Sequence, residues 1–232
     1  MSADETQLER PPWSALTTTH AKFALGNDLA RRYQPDVAPM AAIREVSEDC
    51  LQALSELMAP GDAVGVFGAE PVSSGRGLTV IMQKSIEQMV FERGKMEAVA
   101  GVVVTLTPAD VPEMLKLVEL TQPGPFAART IELGSYLGIR SEGRLIAMAG
   151  ERMKFNGFAE VSGVCTHPEH RGSGHASLLV RMLMQIILRR GDTPFLHTFS
   201  DNASAAALYG KLGFAQRRSL VVTVLRRDRP LQ

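Results

Sequence analysis

The apolar pattern changes period at Pro168, and that change limits the fold more than any other feature. Before it, Tyr136–Arg140 and Arg144–Glu151 read as strands joined by Ser141-Glu142-Gly143, a hairpin signal. Phe158–Thr166 follows the turn residues Asn156-Gly157 and reads as a third strand. Beyond Pro168, Leu178, Leu179, Met182, Leu183, Ile186 and Ile187 form a helical stripe opposite Arg181, Gln185 and Arg189. Gly191 stands where a C-cap glycine belongs, and Pro194 prevents continuation. Phe195–Phe199 then reads as a short strand. Asp201-Asn202 starts a helix that carries Ala205, Leu208 and Leu212 and stops at Gly213, and Leu220–Leu225 reads as the last strand. Upstream lie a strand at Val102–Leu106 and a helix begun by Asp110 with Val111, Met114, Leu115 and Val118 on one face. Gln122-Pro123-Gly124-Pro125 breaks that helix, and a second helix is expected over Phe126–Leu133. A meander followed by strand–helix–strand units predicts an α/β fold of the mixed-sheet (α+β) kind, with helices on both faces.

Gly172 and Gly174 fall between the third strand and the long helix. Alternating glycines let the chain turn sharply and approach a ligand closely. The N–H groups of the helix's first turn then face that ligand, and the helix dipole favours an anion there. Arg171 adds a positive charge, so a pyrophosphate suits the loop; a tight turn without a ligand is the plainer alternative. A dinucleotide fingerprint fits poorly, because Ser177 stands where a third glycine is needed and a meander precedes the loop. No Gly-Lys-Ser/Thr follows, which excludes a Walker A loop.

Val164-Cys165-Thr166-His167-Pro168-Glu169-His170-Arg171-Gly172-Ser173-Gly174-His175-Ala176 resembles motif A of the GCN5-related N-acetyltransferase (GNAT) superfamily. Asn202 to Phe214 resembles its motif B, with Tyr209 and Gly213-Phe214 at matching spacing. The resemblance is strongest to the FR47-like branch, which includes glycine N-acyltransferase-like proteins, and covers roughly residues 99–226. One departure is visible: Glu169 occupies a position where the motif usually has Gln or Arg.

The resemblance implies an acyl-CoA-dependent N-acyltransferase, with acetyl-CoA the expected co-substrate and no metal. The pantetheine arm would pair with the backbone of Val164, Cys165 and Thr166, as an added strand does. The pyrophosphate would lie on Arg171, Gly172, Ser173, Gly174, His175 and Ala176, and Asn202 would contact the pantetheine. Tyr209 is the expected proton donor to the leaving thiolate, and a backbone N–H near Val164 the expected oxyanion donor. Glu160 is the candidate base, with Glu151 and water as competitors. Cys165 as a covalent nucleophile is the weaker scheme, since a cysteine in an apolar strand usually packs as a small hydrophobe. His167, His170 and His175 cluster near the loop without the spacing of a metal site. His197 would line the acyl pocket or simply pack.

The 232 residues divide near residue 98 into an N-terminal α/β domain (1–98) and an acetyltransferase domain (99–232). In the first half, His20–Arg32 and Glu48–Met58 read as helices, and Val37–Ala42 as an extended stretch. Asp62–Phe67 and Leu78–Met82 read as strands, and Ser74-Gly75-Arg76-Gly77 as a hairpin turn. This half reads as a worn copy of the acyltransferase fold that shapes the acceptor pocket or an interface, such as that of a homodimer. The polar start and Pro11-Pro12 predict that about the first dozen residues are loosely held. Net charge is zero, so no basic field recruits nucleic acid or a membrane surface. Two cysteines read as reduced thiols, and a cytoplasmic protein is expected. The leading expectation is transfer to a primary amine of a small molecule or amino acid. Acetylation of a protein N-terminus or lysine, and a non-catalytic acyl-CoA sensor, are the alternatives.

Overall fold

The structure, a computed structural model, describes residues 4–92 and 102–229. In the first half β1 (Ala24–Gly26), β2 (Ala30–Tyr33), β3 (Met40–Ile43), β4 (Ala63–Gly68) and β5 (Leu78–Phe91) accompany α1 (Pro11–Thr17) and α2 (Glu48–Glu56). In the second half β6 (Val104–Thr105), β7 (Tyr136–Ser141), β8 (Arg144–Phe155), β9 (Phe158–Thr166), β10 (Thr193–Phe199) and β11 (Phe214–Arg227) accompany α3 (Val111–Thr121), α4 (His175–Arg189) and α5 (Ala203–Lys211).

The strands form one mixed sheet in the order β1-β2-β3-β4-β11-β5-β10-β9-β8-β7-β6. β5 and β11 have in effect traded places: each lies on the far side of the other from its own half. Their antiparallel ladder runs from Phe91↔Phe214 to Leu78↔Arg227 and binds the halves together. The two halves therefore share a sheet, and the expected boundary near residue 98 lies outside the described residues.

The first half repeats the second in outline. β1, β2 and β3 form an antiparallel meander, α2 follows, and β4 returns parallel to β3. β7, β8 and β9 do the same, α4 follows, and β10 returns parallel to β9. A counterpart of α5 is missing between β4 and β5. Instead, Gly75 and Leu78 exchange backbone hydrogen bonds across the expected hairpin turn.

Local chemistry explains most element starts. Ser47 caps α2 by accepting from the Cys50 N–H, with Glu48 and Asp49 in the first turn. A Thr107/Asp110 capping box leads into α3. α1 starts on Pro11-Pro12, which have no N–H to lose in a first turn.

Three expectations need correction. The helix over His20–Arg32 is instead a short 3-10 turn followed by the β1–β2 hairpin. Asn27 Oδ1 accepts from the N–H groups of Leu29 and Ala30, and this side-chain turn reverses the chain where a helix would have continued. The helix over Phe126–Leu133 is only a 3-10 turn at Thr130–Leu133, because Thr130 Oγ1 bonds the Ala127 N–H and the Val37 carbonyl. The opening segment from residue 4 to 12 is docked rather than loose: Leu8, Pro11 and Pro12 are buried. Leu8 and Leu16 join Tyr33, Phe155, Phe158 and Phe195 in the core under α1.

On the opposite face α4 buries Leu179, Val180, Leu183, Met184 and Ile187 against β7–β10. Leu178, Met182 and Ile186, expected in the buried stripe, flank that core half-covered. At about 1.5–3 kcal/mol per fully buried aliphatic side chain, this stripe holds the helix, and so its N-terminal loop, against the sheet.

Candidate active site

The site begins where β9 and β10 part. The two strands are paired only from Phe158↔Thr193 to Glu160↔Phe195. Past Glu160 the ladder stops, so one edge of Val161–Thr166 opens into a cavity of about 790 Å³. On its other edge β9 slips register against β8 between Cys165↔Met148 and Ser162↔Gly150. Gly163 sits in that irregularity at φ +62°, a conformation that favours glycine. The bulge takes the Gly163-Val164 backbone out of the regular ladder and brings it to the cavity wall.

The glycine loop closes one end. Gly172 and Gly174 have φ of +80° and +78°. A Cβ at either position would meet nothing within 4 Å, so the space above the loop is open. Gly174 is the N-cap of α4 and offers no side chain to the first-turn N–H groups. Those donors face outward for an anion. Arg171 lines the cavity and reaches back to the Thr166 carbonyl at 3.3 Å. Thr166 lines the cavity, and its buried Oγ1 has no hydrogen-bond partner among the described residues. Orphaned donors, open space over two left-handed glycines and an unpartnered hydroxyl along a strand edge fit a phosphorylated, amide-bearing chain.

Of the expected site residues, Val164, Cys165, Thr166, Arg171, Ala176, Asn202 and Tyr209 line one cavity, while Gly172, Ser173, Gly174 and His175 form the turn beside Arg171 that leads into α4. Asn202 caps α5, its Oδ1 accepting from the Ala205 N–H at 3.1 Å and the Ser204 hydroxyl at 3.0 Å. Seven residues on, Tyr209 is nearly buried, edge-on to Phe214, and burial pushes its phenol up to about 12. It keeps its proton across the physiological range and can serve as a donor. Burial also pushes the Cys165 thiol up to about 11, which disfavours the thiolate that a covalent route needs.

Glu160 differs from its expected role. It is fully buried behind the cavity wall. Its carboxylate takes two hydrogen bonds from Arg152, at 2.6 and 2.8 Å, and faces His197 Nδ1 at 2.8 Å. Burial alone would raise this carboxyl, but the Arg152 charge, the Arg152 hydrogen bonds and the His197 contact outweigh it and hold it near 2. A carboxylate so paired is a poor proton acceptor at neutral pH, so the base role does not fit it. Glu151, its competitor, is buried against Arg190 at 2.9 Å.

His197 Nε2 faces the Gln88 amide nitrogen at 3.3 Å. That amide also donates to the Leu8 carbonyl, while Gln88 Oε1 accepts from Arg217. Gln88 is thus oriented with its NH2 toward the ring, which assigns the proton to Nδ1 and occupies the Nε2 lone pair. Arg152, Glu160, His197 and Gln88 tie β8, β9, β10 and β5 together beneath the cavity. Sequence reasoning did not foresee Arg152 as a site residue; it stands among Glu151 and Lys154 at the charged end of β8, and nothing in that run sets it apart.

The FR47-like protein family matches residues 136–222, the segment that carries β7 to β11. A crystal structure described as a putative acetyltransferase from the GNAT family of Novosphingobium aromaticivorans is 37% identical, with a TM-score of 0.89, over 96% of this chain and 99% of that one. This chain belongs to the GNAT family. As a GNAT protein it is an N-acetyltransferase. A GCN5-related N-acetyltransferase from Kribbella flavida shares the fold at 15% identity and a TM-score of 0.58, over 89% of this chain and 90% of that one. The uncharacterized N-acetyltransferase YobR of Bacillus subtilis is 33% identical over 61 residues, 26% of this chain and a quarter of that protein's length.

Proposed function

We propose that this GNAT protein transfers an acetyl group from acetyl-CoA directly to the primary amine of a small molecule or amino acid. The observation that carries the reading is one continuous cavity, from Arg171 and Ala176 at the start of α4, past the opened edge of β9, to Tyr209. Acetyl-CoA supplies the thioester. The backbone edge of Val164, Cys165 and Thr166 aligns its arm, and Arg171 with the α4 N-terminus takes the pyrophosphate. The Asn202 amide NH2 donates to the pantetheine side. The amine nitrogen attacks the thioester carbon, the Val164 N–H stabilises the oxyanion, the C–S bond breaks, and the Tyr209 hydroxyl protonates the departing thiolate. The amine proton leaves to water, because Glu160 and Glu151 are both engaged by arginines. The Tyr209 phenolate regains a proton from water, so each turnover ends with a neutral tyrosine, the amide and the CoA thiol.

The two free cysteines, both buried, agree with a reducing, cytoplasmic setting. Among the described residues, no helix is long and apolar enough to cross a membrane. Thiol release from acetyl-CoA with a panel of amines tests the reading. Tight acetyl-CoA binding with no release for any amine or peptide would replace it with a sensor.

A further inference from the structure

The first half of the chain contributes more than a flank to this cavity. Beyond the β9–β10 gap the cavity extends across the exchanged strands, along Gly65 and Phe67 of β4, Val222 and Val224 of β11, and Met82 and Ile86 of β5. Register explains why these side chains meet. Val222 stands opposite Phe67, and Val224 opposite both Gly65 and Met82, so alternate residues of β4 and β11 present an apolar floor with Met82 and Ile86 of β5. Lys84, between those two and opposite Val222, turns its ammonium to the Phe199 ring and Asp201. Phe67, Met82, Ile86 and Val222 pack together there around Leu220. A Cβ at Gly65 would meet Val222 Cγ2 at 3.5 Å, Phe67 Cε2 at 3.8 Å and the Pro39 carbonyl at 3.9 Å. These are ordinary contacts, so a side chain would fit at 65, but it would fill the floor that the glycine leaves open.

Charge narrows the occupant. Among the described residues, the cavity lining includes Arg152 and Arg171 but no aspartate or glutamate. A second ammonium group on the acceptor would lose its hydration against Phe67, Met82 and Val222 with no carboxylate to receive it. A single amine can be desolvated as the neutral base, the form that attacks.

We infer that the acceptor is a monoamine with an apolar body, aromatic or branched, which lies on the Gly65–Phe67–Met82–Val222 floor while its amino group points through the strand gap at the thioester. This inference rests on the acetyl-transfer reading above and names the acceptor class for it. Polyamines and oligocationic aminosugars are excluded by the same wall.

The test compares 2-phenylethylamine, methylamine and spermidine by thiol release with acetyl-CoA, in the wild-type protein and in Gly65→Leu. Calorimetry measures acetyl-CoA binding to both proteins, and 2-phenylethylamine binding to both after loading with CoA. The expected result is a kcat/KM for 2-phenylethylamine at least tenfold above the other two. Gly65→Leu should raise its KM at least tenfold, with acetyl-CoA affinity within twofold of wild type. Spermidine or methylamine as the better substrate, or an unmoved KM for 2-phenylethylamine in Gly65→Leu, overturns the inference and leaves acetyl transfer standing. If no amine releases thiol, but 2-phenylethylamine binds the CoA-loaded protein and Gly65→Leu weakens that binding, the floor stands and the transfer reading falls. Absence of that binding as well overturns both. Phe67→Ala, which enlarges the floor, should weaken 2-phenylethylamine more than methylamine and guards against a folding defect in Gly65→Leu.

Discussion

Arg152 grips Glu160 with two hydrogen bonds, at 2.6 and 2.8 Å, in the interior between the opened edge of β9 and the apolar floor of the cavity. The pair spans an irregular stretch of the β8–β9 ladder, where pairing skips from Glu151↔Val161 to Lys154↔Ala159. A buried pair of this kind is costly to break from one side, because the remaining charge has no water to turn to. Glu160→Ala should therefore lower stability by about 3–5 kcal/mol, on the order of 10 °C in Tm. Arg152→Ala/Glu160→Ala together should lose less than the sum of the single changes. Thermal melts of the three variants give the coupling directly. If Glu160 were instead a free base, Glu160→Gln would abolish kcat with Tm unmoved. The expected pattern is the reverse, a lowered Tm and substantial turnover in the molecules that stay folded.

Tyr209→Phe removes one hydroxyl from a phenol that burial keeps protonated. A proton donor to the leaving group acts in the transition state, so kcat should fall roughly tenfold to a thousandfold. The KM for acetyl-CoA should change little, because the ring still packs against Phe214. Steady-state kinetics with a thiol probe checks this, and an unchanged kcat would remove Tyr209 from the mechanism.

Gly174→Val tests the anion cradle. At φ +78° a β-branched residue costs on the order of 1–2 kcal/mol of backbone strain, and its side chain enters the open space over the loop. CoA affinity should drop at least tenfold by calorimetry, while pantetheine, the arm without its phosphates, should bind both proteins alike. The core packing of α4 is remote from the change, so Tm should fall only modestly. CoA binding at wild-type strength would move the phosphate site elsewhere.

The second half of the site was legible because its parts are close in sequence. Strand, glycine loop and helix run without interruption from Phe158 to Arg189, and local chemistry dictates that run. What sequence could not provide was register. Glu160 reads as an isolated carboxylate until β8 brings Arg152 across from it, and that pairing depends on a ladder irregularity. The floor was hidden for a related reason. β5 was read only as far as Met82, since Gln83, Lys84, Ser85, Glu87 and Gln88 look unlike a buried strand. In the fold it continues to Phe91, because β11 on one side and β10 on the other satisfy its backbone. The β1–β2 hairpin was missed because the Asn27 turn lies inside a run that otherwise suits a helix.

His20 gives the protein a pH dependence with a definite sign. Its ring is buried beside Tyr33, with Nδ1 2.9 Å from the phenol oxygen. Burial, helped by the nearby Lys154 charge, pulls it down from 6.5 to about 4. The fold thus prefers the neutral ring, while the unfolded chain takes up a proton as soon as pH falls below 6.5. Stability is full above that value, declines as pH falls from 6.5 to 4, and loses nothing more to this group below 4. The loss reaches at most about 3 kcal/mol over that window. Glu160, held near 2, adds a second loss that begins only below its ordinary value of 4.5. Urea titrations at pH 7.5, 6, 5 and 4 should show the first decline in the wild type. His20→Gln should flatten the part between 6.5 and 4.5 and leave the steeper acid limb in place. An equal slope in both proteins over that upper range would assign the decline to other groups.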